Sequence, residues 1–304
     1  MRVLFLGTPS FAVPSLDSLL SSKHNVVGVV TQPDRALKRG KAECSAVKSF
    51  AEKAGIPVVQ PVKIRDEIDA LKAFGADIAV TAAYGQILTQ SVLDVFPRGV
   101  INVHASLLPK YRGASPIQSA ISSGETVTGV TIMRTALGLD TGDILSVCTT
   151  EIGETENTTQ LTARLGDLGA KLLVETLDNY DGIVPTPQND EHATHCRTIK
   201  KSEQFIDFDR PAKDVVNRIR ALADSPCAKT VICGDVYKIY GARKTDDKPA
   251  KCGEIIVCDS RLVISCADGS IEITELQAPG KRRLAAAEFL RGKKFPTGVI
   301  CAKE

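Results

Sequence analysis

Arg2-Val3-Leu4-Phe5-Leu6-Gly7-Thr8-Pro9-Ser10 begins the chain, and Asn25-Val26-Val27-Gly28-Val29-Val30-Thr31 follows it after a single stretch of helical spacing. The first stretch is an apolar run that stops at a turn, and the second is a β-branched run. Between them Phe11, Leu16, Leu19 and Leu20 mark one helix face over 11–21. The unit is therefore strand, helix, strand. The pattern continues outward, with helices predicted over 45–54, 64–74 and 89–95 and strands over 77–82 and 99–103. These strands are apolar almost throughout instead of alternating, which is the mark of a parallel sheet covered on both faces. The turn at 7–10 is neither G-x-G-x-x-G nor a P-loop, so no nucleotide cofactor is expected there. Ser10 is expected to be the N-cap of the first helix.

After residues 115–122 the pattern changes, with two strands, 127–135 and 143–150, placed at the edge of that sheet, and then a long amphipathic helix over 158–178. Residues 182–204 are rich in Pro, Asn, His and Lys and read as a linker. One helix, 212–222, then precedes about five short strands, 229–233, 236–243, 253–257, 262–266 and 270–276, separated by Gly-Asp, Asp-Ser and Asp-Gly turns. This fits a small barrel such as an OB-fold, and a small sandwich gives a similar pattern. The expected division is an α/β domain over 1–181, a linker over 182–204 and a β domain over 205–304. A chain of 304 residues is long enough for two domains.

Composition narrows the class. Hydrophobic residues at 43% and charged residues at 24% exclude wholesale disorder. Residues 1–204 carry 20 Lys and Arg against 22 Asp and Glu, and residues 205–304 carry 18 against 14, so the modest net charge of +2 hides a basic C-terminal third. Nine cysteines include no C-x-x-C pair, and they read as small buried hydrophobes of a reducing compartment, with no metal expected. No apolar run reaches signal-peptide or membrane-span length, so a soluble cytoplasmic protein is expected.

The chemistry concentrates in Ile101-Asn102-Val103-His104-Ala105-Ser106-Leu107-Leu108-Pro109-Lys110-Tyr111-Arg112-Gly113. Asn102 and His104 leave the same face of an extended strand where it runs into a polar loop. An amide donor beside an imidazole can stabilise an oxyanion while a proton moves. On pattern alone Asn-x-His is a weak signal, and a structural hydrogen-bonded pair is the commoner reading. Gly138-Leu139-Asp140-Thr141-Gly142 presents a carboxylate on a tight loop between two strands. Asp-Thr-Gly also marks aspartic proteases, but those need a second such loop and a β-rich fold.

Asn102-x-His104, the run Ser-Leu-Leu-Pro-Lys-Tyr-Arg-Gly at 106–113 and Asp140-x-Gly142 together resemble the signature of the 10-formyltetrahydrofolate-dependent formyltransferases. Phe-Leu-Gly-Thr-Pro-Ser-Phe-Ala at 5–12, Thr-Gln-Pro-Asp at 31–34 and Leu-Gln-x-Pro-Gly-Lys at 276–281 resemble the branch that formylates charged initiator tRNA. The resemblance implies a Rossmann-like, mostly parallel catalytic domain followed by an OB-like β-barrel. It implies that Asn102 donates to the formyl oxygen, His104 shuttles the amine proton and Asp140 holds and charge-stabilises the imidazole. Ser106, Leu107, Leu108 and Pro109 would bind the folate, and Arg35, Lys38, Arg39, Lys41, Lys281, Arg282 and Arg283 would meet RNA. The partners implied are 10-formyltetrahydrofolate as co-substrate and methionyl-initiator tRNA, with no tightly bound cofactor, no membrane and a monomeric enzyme. A sugar-nucleotide N-formyltransferase and a catalytically silent RNA-binding protein are the alternatives.

Overall fold

The computed structural model describes residues 1–36 and 42–302. Apolar runs without alternation have two faces to bury, and they pair side by side to do so. In chain order the strands of the first sheet are β1 (Arg2–Gly7), β2 (Asn25–Val30), β3 (Val58–Val59), β4 (Ile78–Ala82), β5 (Val100–His104), β6 (Val127–Arg134) and β7 (Ile144–Glu151). Among the described residues they stand in the order β7-β6-β5-β4-β1-β2-β3. All pairs from β5 to β3 are parallel, whereas β6 and β7 are antiparallel additions at one edge. The chain winds outward from β1 to β3 and then returns to the other side of β1 at β4. That reversal makes the carboxyl ends of β1 and β4 a topological switch point, where open α/β sheets bind ligands. There the Thr8 hydroxyl and the Gln32 amide both donate to the Tyr84 carbonyl, at 3.0 and 3.2 Å.

One face of this sheet packs Leu4, Leu6, Ala79 and Val100 against Ile64, Leu71, Val92 and Phe96. Each fully buried Leu or Ile contributes roughly 1.5–3 kcal/mol. Helix α1 (Val13–Leu20) follows a single turn of 3-10 helix, Ser10–Ala12. Ser10 is therefore not the N-cap, contrary to expectation. Ala12 precedes α1 without a side-chain cap, and Pro14 in the first turn needs no amide partner, which lowers the demand for one. Further helices are α2 (Ala46–Lys53), α3 (Ile68–Ala73), α4 (Gln90–Leu93), α5 (Pro116–Ser122) and α6 (Thr158–Asp178).

The chain divides into two units, the first made of Met1–Gly113, Val127–Glu151 and Thr162–His195. The second comprises Ala114–Thr126, Ile152–Leu161 and Cys196–Glu304. In it α7 (Ala212–Leu222) begins where Asp268 accepts the Ala212 amide at 2.7 Å. Strands β8 (Ala228–Ile232), β9 (Asp235–Thr245), β10 (Ile255–Cys258), β11 (Leu262–Ser265), β12 (Ser270–Gln277) and β13 (Arg283–Ala285) form an antiparallel, curled sheet, followed by α8 (Ala286–Gly292). Its path is β8-β9-β12-β11-β10, with β13 paired to β12. Residues 298–302 lie against both edges, because Ala302 bridges Val231 in β8 and Ile300 bridges Glu254 just ahead of β10. The tail thereby closes the sheet into the small barrel that the turn spacing predicts. Its centre holds Tyr237, Ile239, Leu262, Ile264 and Ile273, all fully buried. Among the described residues no helix is long and apolar enough to cross a membrane.

Candidate active site

Parallel pairing of β4 with β5 sets Thr81 beside Asn102, and antiparallel pairing of β5 with β6 sets His104 beside Thr131. The Thr81 hydroxyl donates to Asn102 Oδ1 at 2.7 Å. That fixes the acceptor end of the amide and leaves Nδ2 as its donor end. His104, two residues on and therefore on the same face, is 5% exposed. Its Nε2 lies 3.0 Å from the Tyr111 carbonyl, which can only accept, so that nitrogen carries a proton. Its Nδ1 faces Asp140 Oδ2 at 3.6 Å.

Asp140 reaches this position through an unusual loop. Its φ is +52°, a left-handed conformation that Asp adopts more readily than most side chains. Gly142 has no alternative, since a Cβ there would collide with the Arg134 carbonyl oxygen. The carboxylate also accepts the Gly113 amide at 2.8 Å, so the C-terminal end of the Ser106–Gly113 run touches the trio twice: Tyr111 through His104, and Gly113 through Asp140. The structure thus brings Asn102, His104 and Asp140 together at the carboxyl end of β5.

The expected folate loop is tightly tied. Ser106 Oγ donates to the Lys110 carbonyl at 2.6 Å, and the Ser106 carbonyl accepts the Thr131 hydroxyl at 2.7 Å. Leu108 N–H donates to Thr131 Oγ1 at 3.2 Å, Lys110 N–H to the Leu107 carbonyl and Thr194 N–H to the Pro109 carbonyl. With those backbone groups engaged internally, the loop offers a preset shape in place of a set of loose donors.

The Formyl transferase family model matches residues 1–177, and the model of its C-terminal domain matches residues 198–294. A methionyl-tRNA formyltransferase of Solibacter usitatus (strain Ellin6076) is 44% identical over 300 residues, covering 97% of this chain and 96% of that protein. Another from Geobacillus sp. (strain WCH70) is 45% identical over 301 residues, covering 96% and 94%. The chain belongs to the methionyl-tRNA formyltransferase family. Among solved structures, the N-formyltransferase from Helicobacter canadensis, in complex with folinic acid and dTDP-3-aminofucose, has the same fold, with a TM-score of 0.69 at 19% identity over 91% of this chain and 99% of that one.

The basic residues of the formyltransferase divide into three groups. Lys38, Arg39 and Lys41 lie outside the described residues. Arg35 and Ala36 pair with Ala42 and Glu43 as a short antiparallel ladder, which leaves 37–41 between its strands. Its base is anchored by Asp34, which accepts from Lys48 Nζ at 2.6 Å and Gln60 Nε2 at 2.8 Å. The Lys48 ammonium holds the Asp34 carboxyl below its ordinary pKa, and the same pairing raises Lys48. Lys48, only 16% exposed, is therefore an anchor and not part of the free charge of this loop.

At the other end of the chain Arg282 is 78% exposed and pairs with Glu288 at 2.7 Å. Lys281 lines an open cavity of about 500 Å³ with Tyr237, Phe289 and Lys293. Arg283 is committed internally: it pairs with Glu275 and Asp224 and stacks over the Tyr240 ring at 4.1 Å. Hydrogen bonds to the Glu275 and Asp224 carboxylates push its pKa well above the ordinary guanidinium value.

Sequence reasoning missed Thr81, Arg112 and Gln188. Thr81 had one signal, a lone polar residue in the otherwise apolar Ile78–Ala82 run. Arg112 carries no signal of its own within the 106–113 motif, yet its side chain is buried, 4% exposed.

Proposed function

We propose that this formyltransferase moves the formyl group of 10-formyltetrahydrofolate onto the α-amine of methionine esterified to initiator tRNA, with catalysis in residues 1–181 and RNA affinity supplied in part by 205–304. The observation that carries the reading is the Asn102–His104–Asp140 arrangement in a member of this family, with the His104–Asp140 approach at 3.6 Å. The amine nitrogen bonds to the formyl carbon and gives a tetrahedral species bearing O⁻ and N⁺. Asn102 Nδ2 donates to that oxyanion, the task that preorganised donors perform best. His104 takes the proton from the ammonium, stabilised as imidazolium by Asp140. The carbon–N10 bond then breaks, and N10 receives a proton as tetrahydrofolate leaves. Ser106, Leu107, Leu108 and Pro109 form the wall against which the folate lies. Arg35, Lys38, Arg39 and Lys41 meet the acceptor end, with Lys281 and Arg282 on phosphates farther away.

Acid-stable label transferred from formyl-folate to charged initiator tRNA, with amino-sugar nucleotides assayed in parallel, tests the reading. Transfer to the sugar and not to the tRNA would replace it by the sugar-nucleotide alternative. Arg39→Leu is expected to lower kcat/KM for charged tRNA more than about tenfold while formyl-folate binding holds, since misplacement near 1 Å costs ~10²-fold.

A further inference from the structure

Residues 186–194, read in the sequence as linker, run as a strap across the two loops that make the site. Thr186 exchanges both backbone hydrogen bonds with Ile144 at 2.8 Å, just beyond the Asp140 loop. Thr194 accepts the Arg112 amide on its carbonyl and the Tyr111 amide on its hydroxyl, each at 2.8 Å. Between these anchors stands Gln188. Its Nε2 donates to the carbonyls of Asp140 and Gly142, at 2.8 and 2.7 Å. Its Oε1 accepts from Arg112 Nε and Nη2, at 3.0 and 2.8 Å, and Arg112 Nη2 also reaches Asp190 at 2.7 Å.

One primary amide therefore holds both supports of the Asp140 carboxylate: the left-handed turn that carries it, and Arg112, the neighbour of the Gly113 amide that binds it. Every donor and acceptor on Gln188 has a partner of the right polarity, and only an amide supplies both. A strained turn persists where its surroundings over-determine it. We infer that Gln188 is a positioning residue for formyl transfer, acting through Asp140 by setting where its carboxylate meets His104. The inference rests on the proposed roles of Asp140 and His104. Its geometric half, the clamp on the turn, stands apart from them.

The test uses the full-length protein with Gln188→Met, which has similar length and no hydrogen bonds, and Gln188→Glu, which keeps an acceptor for Arg112 and cannot donate to the two carbonyls when ionised. Both are expected to lower kcat at least tenfold with KM for formyl-folate within threefold, and to speed amide hydrogen exchange over 136–142 with little change in melting temperature. In an Asp140→Asn background, Gln188→Met should lower kcat no further, because residues acting through one group are not additive. A kcat within threefold of wild type, or losses that multiply in the double variant, would overturn the positioning role. Failure of both single variants to fold would also overturn it, in favour of a purely structural one. Exchange unchanged over 136–142 would remove the clamp itself. If the wild-type protein proved inactive on charged tRNA, the proposed function would fall while the exchange measurement still decided the clamp.

Discussion

The Thr81 hydroxyl donates to Asn102 Oδ1 at 2.7 Å from the neighbouring parallel strand, at paired register. An amide whose oxygen is held in this way presents its nitrogen in one direction. Asn102→Ala is expected to lower kcat roughly 10²–10³-fold, the usual loss of one oxyanion donor, with formyl-folate affinity unchanged. Thr81→Val should reproduce a smaller part of that loss and Thr81→Ser should restore it. Steady-state kinetics of the three variants checks this, and full activity in Thr81→Val would detach Thr81 from the mechanism.

His104 and Asp140 are expected to separate by role. His104→Ala should lose about 10²–10⁴ in kcat, the range of a general acid–base group, and flatten the pH–rate profile. Asp140→Asn keeps the acceptor for Gly113 and loses the charge facing Nδ1, so turnover should fall while folding persists. Equal activity of Asp140→Asn and wild type across the pH range would reassign Asp140 to the loop's structure.

The C-terminal cations should not behave alike. Lys281→Ala and Arg282→Ala are expected to weaken binding of charged tRNA and each to lower the salt slope by about 1 if it meets a phosphate. Arg283→Ala should instead lower stability by about 1 kcal/mol, since it leaves Glu275 and Asp224 unneutralised and uncovers Tyr240. Thermal melts beside binding isotherms at several salt concentrations distinguish the two effects.

Acid should destabilise the first unit through His24. This side chain, 7% exposed, lies 3.3 Å from the Met1 amine and 3.0 Å from Asp178. Burial above all, then the Met1 ammonium, holds its pKa below the ordinary 6.5, with Asp178 opposing them. As pH falls below 6.5 the unfolded chain takes up this proton before the folded one. The stabilisation is thus complete above that pH and is lost progressively down to the folded-state pKa. Melting temperature followed over about pH 8 to 5 should fall less steeply on the acid side in His24→Asn than in wild type.

Long periodic elements were legible in the residues alone. Helices over 158–178 and 212–222 were bounded correctly, because each has an apolar stripe and a clear break at both ends. Asn102, His104 and Asp140 stand out in the sequence as a signature, and in the structure His104 faces Asp140 while Asn102 lies two residues before His104 on the same strand. What escaped reading depended on distant partners or on very short elements. Val58–Val59 is a two-residue edge between Pro57 and Pro61, too short for periodicity. The strand Arg283–Ala285 and helix Ala286–Gly292 lay in a segment read for its charge. Arg283 stands in the sequence as one more exposed cation beside Lys281 and Arg282, because the carboxylates that neutralise it, Glu275 and Asp224, reach it only after folding. Gln188 sat in a stretch whose polar composition suggested a tether, and its meaning lies entirely in contacts with Arg112, Asp140 and Gly142.

Closure of the barrel by residues 298–302 also sets an order of assembly. The Ala302–Val231 bridge joins positions about 70 residues apart, so its loop-closure entropy is met only after the intervening hairpins have formed. Until then β10 and the part of β8 beyond its Phe205–Lys229 bridge present open backbone edges, the kind that invite pairing with another chain. The tail is thus the natural latch of refolding: a small segment, arriving last, that turns an adhesive half-open sheet into a sealed one.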